Sequence, residues 1–176
     1  MNNLLVEDSE FTNATEGLVV GLGYGDHCEN ISAVGCSFTD MHIGIELKAV
    51  DYIMIDDCSF AGTMPFAIQM DNGRFGTVKN CDISTSQENE EGRFIYNGLS
   101  QVEFLDNTFK SVDGKSILAG IDSTKSCDNV FQSNIFYLDN TETSAIDVSF
   151  GCYVCASNQV IGNAPLTVHG SIDPDC

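Results

Sequence analysis

One eight-residue pattern returns along the whole chain, and a chain patterned in this way has few routes to a buried core. In Ile53–Phe60, Ile-Met-Ile-Asp-Asp-Cys-Ser-Phe, Cys58 marks the frame, with Ile53 and Ile55 before it and Phe60 after it. The frame recurs around Ser9 (Leu4, Val6, Phe11), Cys36 (Ile31, Ala33, Phe38) and Cys81 (Gly76, Val78, Ile83). It continues around Asn107 (Val102, Phe104, Phe109), Asn134 (Phe131 and Phe136, with Asn129 breaking the first position) and Asn158 (Tyr153, Cys155, Val160). Successive markers lie 27, 22, 23, 26, 27 and 24 residues apart.

A period of this length describes a solenoid, in which each repeat buries its apolar face by stacking on its neighbours. Within a repeat the apolar residues alternate, which is the period of a strand and not of a helix. A further short strand follows half a coil later, at 18–22, 43–47, 66–70, 94–96, 117–121, 145–148 and 166–168. Gly, Asn, Asp and Ser fill the corners. The expected fold is all-β, a parallel β-helix of about seven coils forming a single domain over 1–176, or a fragment of one without its terminal caps.

The pattern resembles the right-handed parallel β-helix of the pectin-lyase-like superfamily and of phage tailspikes. The resemblance rests on the markers Cys36, Cys58, Cys81, Asn107, Asn134 and Asn158 and on Phe11, Phe38, Phe60, Phe109 and Phe136. In that family the marker is often an Asn at a tight turn, a residue that tolerates the left-handed backbone region. Three Cys replace it here. One fold of this kind hosts many unrelated sites, so the resemblance leaves the activity open.

Seven basic residues against 26 acidic ones give a formal charge of −19, which argues against nucleic acid or an anionic membrane as partner. A neutral glycan, a cation or a basic protein fits better. No stretch reaches the length needed to span a membrane. The opening Met-Asn-Asn-Leu-Leu-Val runs into the first strand without a cationic segment and cleavage site, so a cytoplasmic location is expected. A first coil starting at Leu4 leaves no room for a cap, and an unpaired sheet edge invites another chain.

The glycines of 21–25 would need a third partner at Asp26 and a following helix to cradle a dinucleotide, so they read as a corner. His27, His42 and His169 are too dispersed to suggest a shared metal. Stacked in register, the Cys markers would lie about 4.8 Å apart and are expected to be reduced and structural. Cys127 and Cys152, on adjacent coils, are placed for a disulfide or, equally, for a reduced contact. Cys152 and Cys155 have metal or redox spacing, but positions three apart on a strand face opposite ways. The polar segment 84–93 and the expansions at 110–116 and 139–144 should project as loops.

Two outward columns could carry function. On the first strand stand Leu5, Ser32, Met54, Thr77, Glu103, Val130 and Val154, an apolar stripe that suggests contact between chains, in a trimer as in tailspikes or in a dimer. On the second strand stand Glu46 and Gln69, Asp71 two residues later, then Asp122 and Asp147. Carboxylates about 5 Å apart on neighbouring coils can act as acid and base, so Glu46, Asp71, Asp122 and Asp147 are the candidate catalytic residues for glycoside hydrolysis. Asp51 and Asp71 are candidate Ca²⁺ ligands, with Lys48 or Arg74 as the base of a lyase. Ion pairing of Lys48 with Asp71 and of Asp51 with Arg74 is the plainer reading. Comparison with polygalacturonase-like enzymes finds Asp56-Asp57 and His169-Gly170 but no Arg-Ile-Lys, so their site does not transfer. The leading expectation is a β-helix that binds a polysaccharide or serves a structural role, with no required cofactor and with Tyr24, Tyr52, Tyr96 and Tyr137 available to stack on sugars. A polysaccharide hydrolase or lyase and an assembly module of a larger fibre are the alternatives.

Overall fold

Alternating apolar residues in short runs, separated by corner residues, fold here into strands that, among the described residues, pair in parallel with the neighbouring coils. The computed structural model describes residues 2–21, 27–86, 93–111, 119–123, 128–138, 144–148, 152–166 and 172–173. Each coil has three faces. The first includes Asn2–Glu7, Cys28–Val34 and Val50–Asp56, and ends in Val130–Gln132, Tyr153–Cys155 and Ile172–Asp173. The second is a separate seven-stranded sheet of short strands, from Glu10–Thr12 through Ser59–Thr63 to Gln159–Ile161. The third holds Glu16–Val20, Ile43–Lys48, Ala119–Ser123 and Ser144–Val148. Phe66–Lys79 and Arg93–Leu105 run unbroken from the third face to the first, joining those faces into one 12-stranded sheet. The right-handed parallel β-helix expected from the sequence is the observed fold. The helix has about five turns, fewer than the seven coils counted from the repeats.

The sharp corner between first and second faces has a different origin from the one expected. The left-handed residues are Asp8, Gly35, Asp57, Asn80, Asp106 and Ser133, each one place before its marker, with φ between 47° and 63°. The marker itself therefore carries no left-handed strain, and a Cys can occupy it as readily as an Asn. Each left-handed residue still donates its N–H to the next coil, as Asp57 does to the Lys79 carbonyl at 3.2 Å.

Inside the corner the markers hold the coils together. Asn134 is fully buried, and its Oδ1 accepts from the backbone N–H of Asn107 at 3.1 Å and from Asn107 Nδ2 at 3.0 Å. Its own Nδ2 donates to Asn158 Oδ1 at 2.9 Å and to the Phe104 carbonyl at 2.8 Å. One amide thus bonds the coil before and the coil after. Upstream the series meets Cys81, whose backbone N–H donates to Asn107 Oδ1 at 3.0 Å. Asn129, which breaks the apolar frame, is buried and accepts the Val102 N–H at 2.8 Å, so it satisfies a backbone donor instead of filling space.

The core follows the same register. Phe11, Phe38 and Phe60 stack with centroids 4.9 Å apart, and Phe109 stacks on Phe136 at 4.6 Å, with Ile83 between the two series. The opposite wall yields space to them: a Cβ on Gly44 would stand 2.8 Å from the Phe60 ring, and one on Gly120 would stand 3.0 Å from Phe136.

The register departs from expectation at the last coil. Val130 pairs with Tyr153 and Phe131 with Val154, so Val154 is a core residue and not part of the outward stripe. A turn at Ala156–Ser157, closed by the Asn158 N–H on the Cys155 carbonyl at 3.2 Å, inserts one residue between strand and marker. Cys152 is a free thiol, so of the two states open for it beside Cys127 the reduced one holds; Cys155 is disulfide-bonded. Of the expected strand 166–168 only Leu166 is described, and its carbonyl accepts the Ile146 N–H at 2.9 Å.

Asn134→Ala removes an amide that serves both neighbours and leaves buried backbone and side-chain groups unmet. It should lower the unfolding free energy by about 3 kcal/mol in urea titration. A loss under about 1 kcal/mol would show that the amides are not what holds this corner.

Candidate functional site

The carboxylates singled out in the sequence are spread along the third face. The register there runs Val19, Glu46, Gln69, Tyr96, Asp122, Asp147. Glu46 and Asp122 are thus separated by three rungs, about 14 Å at the spacing of parallel strands, too far for a shared catalytic water. Only Asp122 and Asp147 stand on adjacent rungs. Both Glu46 and Asp122 are buried beside a cation: Lys48 Nζ lies 2.6 Å from Glu46 Oε1 and Arg93 Nε lies 2.5 Å from Asp122 Oδ2. The hydrogen bond from Lys48 to Glu46 holds the lysine above its ordinary range. The pairing expected between Lys48 and Asp71 gives way to this one, although Asp71 does sit opposite Lys48 in the register, with Gly98 on its other side.

Asp51 lies at the corner that leads into the first face, buried, with its carboxylate fully engaged. Oδ1 accepts the Arg74 backbone N–H at 2.7 Å, and Oδ2 faces His27 Nε2 at 2.9 Å and Arg74 Nη2 at 3.7 Å. The Asp51–Arg74 pair is therefore present, reinforced by a histidine that sequence reading left apart. Among the described residues no group of three or more His, Cys, Asp or Glu side chains is placed to hold a metal ion, and Asp51 and Asp71 are not gathered into one ligand set.

The most site-like feature lies elsewhere, on the outer side of the first face. The register places Leu5, Ser32, Met54, Thr77, Glu103 and Val130 in one column, as expected up to Val130. Beside it runs a line of left-handed residues at equivalent positions: Asn3, Asn30, Tyr52, Phe75, Gln101 and Asp128, with φ from 56° to 63°. Asn and Asp accept this conformation readily, but for a bulky aromatic it is a true outlier that costs on the order of 1–3 kcal/mol. Tyr52 and Phe75 nonetheless occupy it on adjacent coils. Their rings stack at 5.1 Å and 13°, and the Arg74 guanidinium lies 5.3 Å from the Phe75 centroid. Tyr52 is 52% exposed.

These rings form one wall of a shallow groove of about 400 Å³, floored by Met54 and Thr77 and closed by Gln101 and Glu103. A second hollow of about 490 Å³ shares Met54 and continues past Ser32 to Leu5. Together they make a trough along the solenoid axis with apolar patches, hydroxyls, an amide and a carboxylate. Sequence reading found Tyr52 and the column but missed Phe75, because only the fold shows that Phe75 leaves the core. The equal spacing of Tyr52 and Phe75 from their markers was the available signal. Of the other tyrosines, Tyr96 is half-buried, Tyr137 is exposed and Tyr24 lies outside the described residues.

A family model described as a right handed beta helix region matches residues 21–172. The chain belongs to the right-handed β-helix family. No curated protein and no solved structure matches this β-helix.

Asp56 borders the trough of the β-helix and has a defined electrostatic role. Partial burial pushes its carboxyl up, but Asn80 Nδ2 at 2.9 Å and Lys79 Nζ at 3.1 Å more than offset this and hold it below the usual carboxylate range. A depressed folded-state value means that the stabilisation is present above the unfolded value, about 3.9, and is lost as pH falls through the folded one. Asp56→Asn should therefore flatten the acid side of the stability profile below about pH 4 and leave the slope near neutrality unchanged. An unaltered acid limb in thermal melts would remove Asp56 from that account.

Proposed function

We propose that this β-helix is a glycan-binding module and that its contact surface is the trough on the first face, centred on Tyr52 and Phe75. The observation that carries this reading is the pair of aromatics held in left-handed backbone, at a cost, on an exposed rim where Asn would suffice. Strain of this kind persists where the side chain is needed in that position. Tyr52 presents an apolar ring face with a hydroxyl at its edge, a combination suited to the face and rim of a pyranose. Thr77, Gln101 and Glu103 supply the few polar groups that orient a bound sugar. The trough follows an axis of evenly spaced parallel rungs, a geometry suited to a long polymer. With Glu103 in the groove and a formal charge of −19 on the chain, a neutral polysaccharide is favoured over a polyuronate.

Affinity electrophoresis against neutral and acidic polysaccharides tests this. Tyr52→Ala should weaken binding of the best neutral ligand by about tenfold or more, equivalent to about 1.4 kcal/mol. Tyr137→Ala, on another face, should leave it unchanged. Equal binding by the Tyr52 variant, or a panel with no binding above background, would sink the proposal.

A second reading is supported by Leu5 and Met54, which are 56% and 38% exposed on the same trough. It makes this face the contact between copies, as in an assembly module of a dimer or trimer. Sedimentation separates the two: self-association abolished by Leu5→Asp, together with glycan binding that survives the change, would assign the apolar end to assembly and the aromatic end to ligand.

A further inference from the structure

The dipeptide Asn-Gly occurs twice in the chain, as Asn72-Gly73 and as Asn97-Gly98, and the fold treats the two copies differently. Asn97-Gly98 lies within the ladder, paired with Met70 and Asp71. Asn97 is fully buried; its Nδ2 donates to the Leu99 carbonyl and to Ser123 Oγ, both at 3.1 Å, and its Oδ1 accepts the Leu99 N–H at 3.0 Å. Asn72-Gly73 lies at the corner between the third and first faces, in a gap of the register. Pairing steps from Asp71 to Arg74 on both sides, from Lys48 to Asp51 on the preceding coil and from Gly98 to Ser100 on the following one. Against the following coil two residues therefore stand opposite one, a bulge that takes them out of the ladder. Asn72 is exposed, with a φ of 56°, and among the described residues its amide has no hydrogen-bond partner.

The corner dictates both residue types. A Cβ on Gly73 would stand 1.8 Å from the Val50 carbonyl oxygen, so nothing larger than glycine fits. The left-handed backbone before it favours Asn over most residues. A free carboxamide is thus set beside a backbone nitrogen that no side chain shields.

We propose that Asn72-Gly73 is a self-modification site, which converts in water to isoaspartate and so loosens the aromatic rim next to it. The Gly73 backbone nitrogen attacks Asn72 Cγ, and the new N–Cγ bond closes a cyclic imide. The Cγ–Nδ2 bond breaks, and the Gly73 proton leaves with Nδ2 as ammonia. Water then opens the imide. Cleavage of the N–Cγ bond gives aspartate, whereas cleavage at the Asn72 backbone carbonyl gives isoaspartate, in which the main chain runs through Cβ and Cγ. The balance is one water gained and one ammonia lost. Isoaspartate adds one carbon to the backbone between Asp71 and Arg74. Immediately beyond it the Arg74 N–H is held on Asp51 Oδ1 at 2.7 Å, and Phe75 stacks on Tyr52 at 5.1 Å. The longer backbone displaces both contacts. None of this chemistry depends on what the trough binds.

The test is incubation of the full chain in warm, mildly alkaline buffer, followed by tryptic mapping. The peptide 49–74 should exchange the Asn72 amide for an acid and appear as two products, aspartate and isoaspartate, the second a substrate for protein isoaspartate methyltransferase. The peptide 94–110, which carries Asn97, should convert at least about tenfold more slowly, because it must wait for the ladder to open. In urea the two should convert at similar rates. The near-ultraviolet circular dichroism of the stacked rings should fade in step with isoaspartate, and Asn72→Asp, with its unchanged backbone length, should retain it. An Asn72 that stays amidated in the folded chain, equal rates at the two sites without urea, or aspartate as the sole product would overturn the proposal. An isoaspartate form with an intact aromatic signal would overturn its link to the rim.

Discussion

Every strand among the described residues pairs in parallel with the coil before or after it, and those backbone hydrogen bonds are the interaction on which the rest depends. A coil by itself has no hydrogen-bonded partner for its N–H and C=O groups and only one face of apolar side chains. Stacking satisfies both needs at once, provided that each residue falls beside its equivalent. The register then decides everything else. It puts phenylalanine on phenylalanine, carries amide onto amide at the marker corner, and aligns the left-handed residues in lines. The one-residue insertion before Asn158 shows how local a departure must be: a turn absorbs it, and the second-face pairing of Gln159 with Ile135 resumes immediately.

That dependence explains what could be read from the sequence. The seven markers, the alternation around them and the outward column from Leu5 to Val130 follow from side-chain type and spacing, because a buried face restricts which residues can appear. Register pairs as distant as Glu46 with Gln69, or Asp51 with Arg74, could be counted from the markers. The counting failed where a corner changed length, which is why Val154 was placed outside, and it left open a thiol's state that depends on three-dimensional proximity, as with Cys152. Backbone conformation was also hidden. The letters do not show that Tyr52 and Phe75 stand on left-handed backbone; their equal spacing from Cys58 and Cys81 marks only that they share a position on successive coils.

The candidate site was legible only in part for a related reason. Acidic residues on the third face are conspicuous in the sequence, but burial and pairing with Lys48 and Arg93 give Glu46 and Asp122 a role in fixing the surface of the coil. The trough on the first face is assembled from residues of ordinary type, and its distinctive property is the strain in its rim. Charge and composition could point toward a neutral ligand, whereas the position of the surface that would meet it depends on which side chains turn away from the core.

The buried amides at Asn107, Asn134 and Asn158 have an implication for how such a molecule can change in length. The amides of Asn107 and Asn134 each bond the coil before and the coil after, and Asn158 ends the series by accepting from Asn134, so coils bearing the amide are interchangeable with their neighbours at that corner. Removing or duplicating about twenty-five residues between two such positions brings equivalent partners back together, whereas a change of a few residues must be confined to a loop. The solenoid can therefore lengthen or shorten in whole-coil steps, and a surface laid along its axis gains or loses contact area in the same increments.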